Sequence, residues 1–234
     1  EVAALKHSEL KTRSEEVKKK LEEKRLKEEA ERKAKEAAAA EAAKKAADAA
    51  KAAATKSTGA KTPSDGPSIT SGRVAIFFGS STGNTENVAK QIKDELGCVD
   101  HIKNVADAHP LDFTACEVMI LGIPTWHIGE LQDDWAAILP EVAKNNYAGK
   151  KIAIFGLGDG KGYAETYVDA MAELFAAFEK SGAKLFGLWP TDGYDYKKSK
   201  AIRDGKFMGL VIDIENQDNL SDKRIKTWCQ QIKG

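Results

Sequence analysis

The stretch Gly79-Ser80-Ser81-Thr82-Gly83-Asn84-Thr85 decides the fold that this sequence predicts. It follows the apolar run RVAIFF at 73–78, which predicts a buried strand, and it precedes a segment in which Val88, Ala89 and Ile92 share one helical face. A tight turn between a strand and a helix brings free backbone N–H groups to the positive end of the helix dipole. The stretch therefore predicts an anion site at a helix N-terminus.

The side chains of this turn indicate which anion it suits. Ser80, Ser81, Thr82 and Thr85 carry hydroxyl groups that can donate to phosphate oxygens, and Gly83 lets the backbone turn closely. The turn has neither the lysine of G-x-x-x-x-G-K-[ST] nor the glycine spacing of G-x-G-x-x-G. Without a cation, a terminal monophosphate is favoured over a triphosphate. The alternative is an ordinary capped helix, because Ser and Thr are common caps.

Composition excludes several classes of function. Residues 1–56 carry 16 Lys and Arg against 12 Asp and Glu, and the whole chain of 234 residues has zero formal net charge, so the rest of the chain has a net charge of −4. This asymmetry is too mild to predict nucleic-acid binding. The three cysteines are scattered without metal-ligand spacing, which argues against a disulfide framework and a zinc site. No apolar run approaches the ~20 residues of a membrane span.

Three segments are predicted. Residues 1–54 consist mainly of Ala, Glu and Lys without Gly or Pro, and contain favourable pairs such as Glu15–Lys19 and Glu41–Lys45, so they predict a long single helix. This helix is a candidate tether or docking segment for a partner, with a solvated helix or a charged disordered tail as the alternatives. Residues 55–72, with Pro63 and Pro67, predict a flexible linker. Residues 73–234 form the third segment.

In this third segment, apolar runs alternate with helical patterns, which predicts an α/β fold with a parallel sheet and helices on both faces. The predicted strands are 74–78, 99–103, 118–122, 152–155 and 184–188. The predicted helices are 85–96, 131–144, 163–181 and 221–232. Ligands of such folds lie beyond the carboxyl ends of the strands. The loops that follow the strands are therefore the candidate site.

Two of those loops carry flat aromatic rings. Trp126 lies in the loop after the third strand, and Tyr163 ends a glycine-rich run after the fourth. Two rings on neighbouring loops could sandwich a planar cofactor beside the phosphate turn. For Trp126 the alternative is a ring that only caps the sheet edge.

Residues 73–234 resemble the flavodoxins, specifically the long-chain group of cyanobacteria and algae. The resemblance rests on the turn 79–85, on Pro124-Thr125-Trp126 with Ile128-Gly129-Glu130-Leu131, on Gly158-Asp159 with Gly162-Tyr163, and on TDGYD at 191–195. The run 199–207 resembles the insertion that splits the last strand of long-chain members, with the strand resuming near 208–212. The resemblance implies a flavodoxin-like, five-stranded parallel sheet in the order 2-1-3-4-5.

The resemblance also implies bound FMN, with its phosphate in 80–85 and its isoalloxazine between Trp126 and Tyr163. The backbone around His127 would face flavin N5, while 157–159 and 165–168 would face the pyrimidine edge. The implied FMN-binding residues are Ser80, Ser81, Thr82, Gly83, Asn84, Thr85, Pro124, Thr125, Trp126, His127, Ile128, Gly129, Leu157, Gly158, Asp159, Tyr163, Glu165, Thr166 and Asp192. Related proteins usually have Asn at the position of His127, and Thr, Asp, Asn and Gln at those of Leu157, Glu165, Thr166 and Val168. Since most of these contacts use backbone groups, FMN binding is expected to survive.

The function implied is a low-potential one-electron carrier and not an enzyme. Such carriers exchange electrons with photosystem I and ferredoxin–NADP reductase in place of ferredoxin, which implies the chloroplast stroma, or the cytoplasm of a bacterium. Asp159, Glu165, Asp192 and Glu130 would disfavour an anionic reduced flavin and lower its potential. Protonation of His127 near flavin N5 would act in the opposite direction, and the alternative is a solvent-facing His without a role. The alternatives are a structural or tethered subunit of a larger assembly and an NAD(P)H:quinone reductase.

Overall fold

A computed structural model describes Ile69 and residues 72–234. The helix predicted at 1–54 lies outside the described residues, as does nearly all of the linker predicted at 55–72. Their roles as a tether, a docking segment and a linker therefore stay predictions. At the start of the described chain, the backbone N–H of Ile69 donates to the carbonyl of Ile232 at 2.8 Å.

A parallel sheet forms the centre of the domain. Its strands are β1 (Val74–Phe78), β2 (His101–Asn104), β3 (Val118–Pro124), β4 (Lys151–Leu157) and β5 (Lys184–Leu185). The order is β2-β1-β3-β4-β5, and every neighbouring pair is parallel, which confirms the predicted topology. β1, β3 and β4 are buried along almost their whole length, as their continuous apolar runs require.

The fifth position in the sheet is shared by two segments. β5 has two residues and pairs with the start of β4, so the strand predicted at 184–188 was too long. A later strand, β9 (Leu210–Ile212), pairs in parallel with the end of β4, which confirms the predicted resumption. Between them, β6 (Trp189–Pro190), β7 (Ile202–Arg203) and β8 (Lys206–Phe207) form a small antiparallel sheet. The carboxyl end of β9 therefore lies beside that of β4.

The α-helices are α1 (Asn84–Leu96), α2 (Asp133–Val142), α3 (Ala170–Glu179), α4 (Ile214–Gln217) and α5 (Ser221–Lys233). Short 3₁₀ helices occur at Val105–Asp107, Pro110–Thr114, Ala164–Thr166 and Asp218–Leu220. The prediction that a helix starts at residue 163 was wrong. Ala164–Thr166 is a 3₁₀ turn, and Val168 has a φ of +51°, which a right-handed helix cannot contain. The regular helix begins only at Ala170.

The helices fix the sheet edge at which β1 and β3 end. α1 packs with α5, and α2 packs with α3. Trp135 of α2 is fully buried and donates its indole N–H to the carbonyl of Gly122 in β3 at 2.8 Å. Phe77 of β1 stacks on Phe113 with 4.0 Å between ring centroids. These contacts hold the loops after β1 and β3 on a rigid base.

Candidate functional site

A cleft of about 460 Å³ opens at the carboxyl edge of the sheet, where the loops after β1, β3 and β4 meet the turn after β9. It is lined by Thr82, Asn84, Thr85, Pro124, Thr125, Trp126, His127, Leu157, Gly158, Asp159, Tyr163, Ile214 and Glu215. All except Ile214 and Glu215 are among the predicted FMN-binding residues. The structure therefore brings together residues from three separate loops of the sequence, as the strand-end argument expects.

The other predicted residues do not line this cleft: Ser80, Ser81, Gly83, Ile128, Gly129, Glu165, Thr166 and Asp192. Ser81 lines an adjoining pocket of about 190 Å³ with Trp126, His127 and Asp133. The Ile128 side chain is 68% exposed, and Asp192 is exposed. Glu165 forms an ion pair with Lys197 at 3.3 Å.

The turn after β1 contains both hydrogen-bonded and free N–H groups. The Ser80 hydroxyl accepts from the N–H of Gly83, the N-cap residue of α1, at 3.1 Å and from that of Glu86 in the first turn at 3.4 Å. Gly83 has a φ of +85°, which explains the glycine there. Four backbone N–H groups of the turn make no hydrogen bond within the described part of the chain: those of Ser81, Thr82, Asn84 and Thr85. The groups that contact the Ser80 hydroxyl therefore differ from the four N–H groups that remain free to bind an anion.

The loop after β3 forms a short hairpin. Trp126 and Glu130 pair as an antiparallel bridge, with N–H to carbonyl distances of 3.0 and 2.8 Å. At the tip, His127 has a φ of +46° and Gly129 a φ of +89°. A side chain at Gly129 would contact Asp169 and Thr166 at 3.1–3.2 Å, so the hairpin lies against the segment before α3. This packing positions Trp126 as one wall of the cleft.

The loop after β4 forms the opposite wall. Tyr163 lines the cleft with its side chain 50% exposed. The Asp159 carboxylate accepts from the N–H groups of Lys161 at 3.1 Å and Gly162 at 2.8 Å. The Gly162 N–H, followed by the Asn216 side chain, lowers the pKa of Asp159 below its usual value. Asp159 is therefore ionised at neutral pH.

Two buried polar atoms that lack partners in the described part of the chain belong to residues that line the cleft. Thr125 Oγ1 and Trp126 Nε1 are buried and have no hydrogen-bond partner among the described residues. Such orphaned groups cost free energy unless a bound molecule satisfies them. The lining contains no lysine or arginine within the described ranges, so an anionic group would be held by N–H and hydroxyl donors.

The sequence did not predict three residues of the site. Ile214 and Glu215 line the cleft, and Asn216 contacts Asp159. They follow β9, whose resumption was predicted, so the strand-end rule could have located them. Among the described residues, no group of His, Cys, Asp and Glu is arranged to hold a metal ion. None of the helices in this part of the chain is long and apolar enough to cross a membrane.

A family model described as flavodoxin matches residues 76–228. The chain belongs to the flavodoxin family. A flavodoxin of Nostoc sp. is 44% identical over 165 residues, which is 70% of this chain and 97% of that protein. A flavodoxin of Haemophilus influenzae is 42% identical over 161 residues, or 68% of this chain and 92% of that protein. The predicted family is therefore confirmed.

A solved structure supports the same assignment. The crystal structure of the Fusobacterium nucleatum flavodoxin, bound to flavin mononucleotide, matches with a TM-score of 0.66 and 32% identity. The match covers 70% of this chain and 98% of that one. Flavodoxins are electron-transfer flavoproteins, so the family assignment favours the predicted carrier over the quinone reductase.

Proposed function

We propose that this flavodoxin binds FMN in the cleft and carries electrons one at a time between partner proteins. The observation that carries the proposal is the composition of the cleft, which joins a turn with four free N–H groups to two aromatic side chains. A phosphate suits the first part, and a planar ring suits the second.

The chain's residues fit each part of FMN. The N–H groups and hydroxyls of the turn 80–85 would bind the phosphate without help from a cation. Trp126 and Tyr163 would lie against the isoalloxazine ring, and they would exclude water from it. Thr125 Oγ1 and Trp126 Nε1 would find in the cofactor the partners that the described protein lacks. Bound FMN would supply the redox chemistry by accepting and donating single electrons.

The protein would lower the potential of the second electron. The ionised Asp159 lies in the cleft lining, and Glu215 adds a second carboxylate there. Negative charge next to the ring disfavours the anionic reduced flavin, and the aromatic walls remove the water that would solvate that charge. The carrier would therefore be a strong reductant when it is loaded with its second electron.

The proposed partners are ferredoxin–NADP reductase and photosystem I, which is consistent with the cyanobacterial relatives. The test uses the full chain of 234 residues. We expect FMN titration to show one flavin bound per chain and a yellow protein. With NADPH and the reductase, the loaded chain should then transfer electrons to cytochrome c. The location of the protein, chloroplast stroma or bacterial cytoplasm, stays a prediction.

Two controls separate the alternatives. Leaving out ferredoxin–NADP reductase should abolish NADPH oxidation. Oxidation of NADPH by the chain alone with a quinone would instead support the alternative that the chain is an NAD(P)H:quinone reductase. A colourless protein that fails to bind added FMN would overturn the carrier proposal.

His127 offers a test of how the hairpin tip affects the potential. If the imidazole becomes protonated near the ring as pH falls, its charge stabilises the anionic reduced flavin. We expect the second reduction potential of the wild-type chain to rise more steeply with falling pH than that of His127→Asn. Asn tolerates the positive φ at this position, so the substitution should preserve the backbone. The measurement is a potentiometric titration at several pH values, and identical slopes for the two chains would refute the role of His127.

A further inference from the structure

A polar contact joins the loop after β4 to the short helix after β9. The loop after β4 carries Asp159, whose Oδ1 accepts from Asn216 Nδ2 at 2.7 Å. Asn216 belongs to α4, directly after β9, and its neighbours Ile214 and Glu215 line the cleft. The contact spans 57 positions of sequence, and therefore links the two elements that share the last part of the sheet.

Asp213 completes the contact. It is 3% exposed, and its carboxylate accepts from the Gly160 N–H at 3.0 Å and from the Asn216 N–H at 3.0 Å. Asn216 Nδ2 also reaches the two Asp213 oxygens at 2.9 and 3.1 Å. An amide nitrogen has two hydrogens, so it can donate to both carboxylates at once. A neutral side chain thus lies between two anions.

The same loop has no room for a side chain at Gly160. A Cβ at Gly160 would lie 2.4 Å from the carbonyl oxygen of Asp195 and 3.0 Å from Asp213 Oδ2. The Gly158 N–H donates to the carbonyl of Ile212 at 3.2 Å. The backbone of this loop is therefore held at Gly158 and Gly160, and Asn216 holds its Asp159 side chain.

We propose that Asn216 is a positioning residue for the flavin, holding the Asp159 loop in its binding geometry through paired donation to Asp159 and Asp213. This inference rests on the proposed FMN binding, although the contact itself is a property of the protein without cofactor. Asn216 acts on the cofactor through the loop, because it is absent from the cleft lining.

Removing the donors has a predictable electrostatic result. Asp159 loses a hydrogen bond to its charged form while Asp213 remains nearby, so its pKa rises toward the ordinary value. Lys161 and Tyr167 interact electrostatically with Asp159, Asp213 shares the Asn216 amide with it, and Tyr163 and Glu215 line the cleft with it. The pKa of Asp159 is lower in the folded protein than in the unfolded chain, so its ionised form stabilises the fold. This stabilisation is complete at pH values above the pKa of the unfolded chain, and it is lost as pH falls through the pKa of the folded protein. Replacing Asn216 raises the pKa of Asp159 in the folded protein, so the stabilisation by Asp159 disappears at a higher pH.

The test compares Asn216→Ala and Asn216→Asp with the wild-type chain. In the cofactor-free protein, NMR titration of the carboxyl carbon should show a raised pKa of Asp159 in both variants, and more so in Asn216→Asp, which adds a third carboxylate. FMN affinity should fall by about tenfold in Asn216→Ala. Asn219→Ala, an exposed change three positions away, is the matched control and should alter neither quantity.

Each outcome has a separate meaning. If wild-type chain binds no FMN, the proposed function fails, and this inference fails with it. If wild-type chain binds FMN and Asn216→Ala binds it equally well, Asn216 does not position the loop, whatever the pKa of Asp159 does. Weakened binding with an unchanged pKa in both variants would also overturn the inference, because the effect would then not pass through Asp159.

Discussion

Thr82→Asp is expected to weaken FMN binding by at least about thirtyfold. The substitution places a carboxylate in the turn whose free N–H groups would hold the phosphate. A phosphate monoester carries nearly two negative charges at neutral pH. Each unit charge at about 4 Å costs about 1 kcal/mol even in water, so the repulsion is about 2 kcal/mol or more. The measurement is fluorescence titration with FMN.

Riboflavin separates repulsion of the phosphate from damage to the cleft, because it has the same ring without the phosphate. Thr82→Asp should leave riboflavin affinity nearly unchanged, and its effect on FMN should shrink as salt increases. Thr227→Asp makes the same charge change at an exposed position of α5 and serves as the matched control. Equal weakening of both ligands would mean that the turn is distorted, and unchanged FMN affinity would place the phosphate elsewhere.

Most of the residues that line this cleft could be predicted because they end a strand or lie in the loop that follows it. The turn 79–85, Trp126 and the run that ends at Tyr163 are short sequence segments whose strands are continuous apolar runs. Parallel pairing of β1, β3 and β4 then forces their ends to one edge of the sheet. The sequence pattern thus contains both the chemistry of the loops and the reason they meet.

The features of the fold and of the site that the sequence did not predict depend on contacts between distant parts of the chain. Val168 is buried with a φ of +51°, a conformation that helical propensity does not predict and that tertiary packing imposes. β5 is short because β9 takes the place beside the end of β4. Asn216 lies in an unremarkable run of polar residues, and its partner Asp159 lies 57 positions earlier. Local pattern has no signal for such a pair.

Trp126→Ala is the second large effect, and we expect it to weaken FMN and riboflavin equally. Stacking of a planar heterocycle on an aromatic side chain is worth about 1–3 kcal/mol, so both affinities should fall by roughly ten- to a hundredfold. Trp126→Phe keeps a ring face and loses the orphaned Nε1 hydrogen, so its affinities should lie between those of Ala and the wild type. Leu111→Ala, at an exposed side chain that does not line the cleft, is the control.

The second reduction potential of the bound flavin distinguishes two roles of the Trp126 indole, which are stacking on the ring and exclusion of water. If Trp126 also excludes water, the second reduction potential of the flavin that remains bound should become less negative in Trp126→Ala, since water would solvate the reduced anion. Thr82→Asp adds a charge without opening the ring site, so it should shift that potential, if at all, toward more negative values. Opposite shifts from the two variants would assign anion binding to the turn after β1 and redox tuning to the walls after β3 and β4. Shifts of the same sign would contradict this division of the cleft.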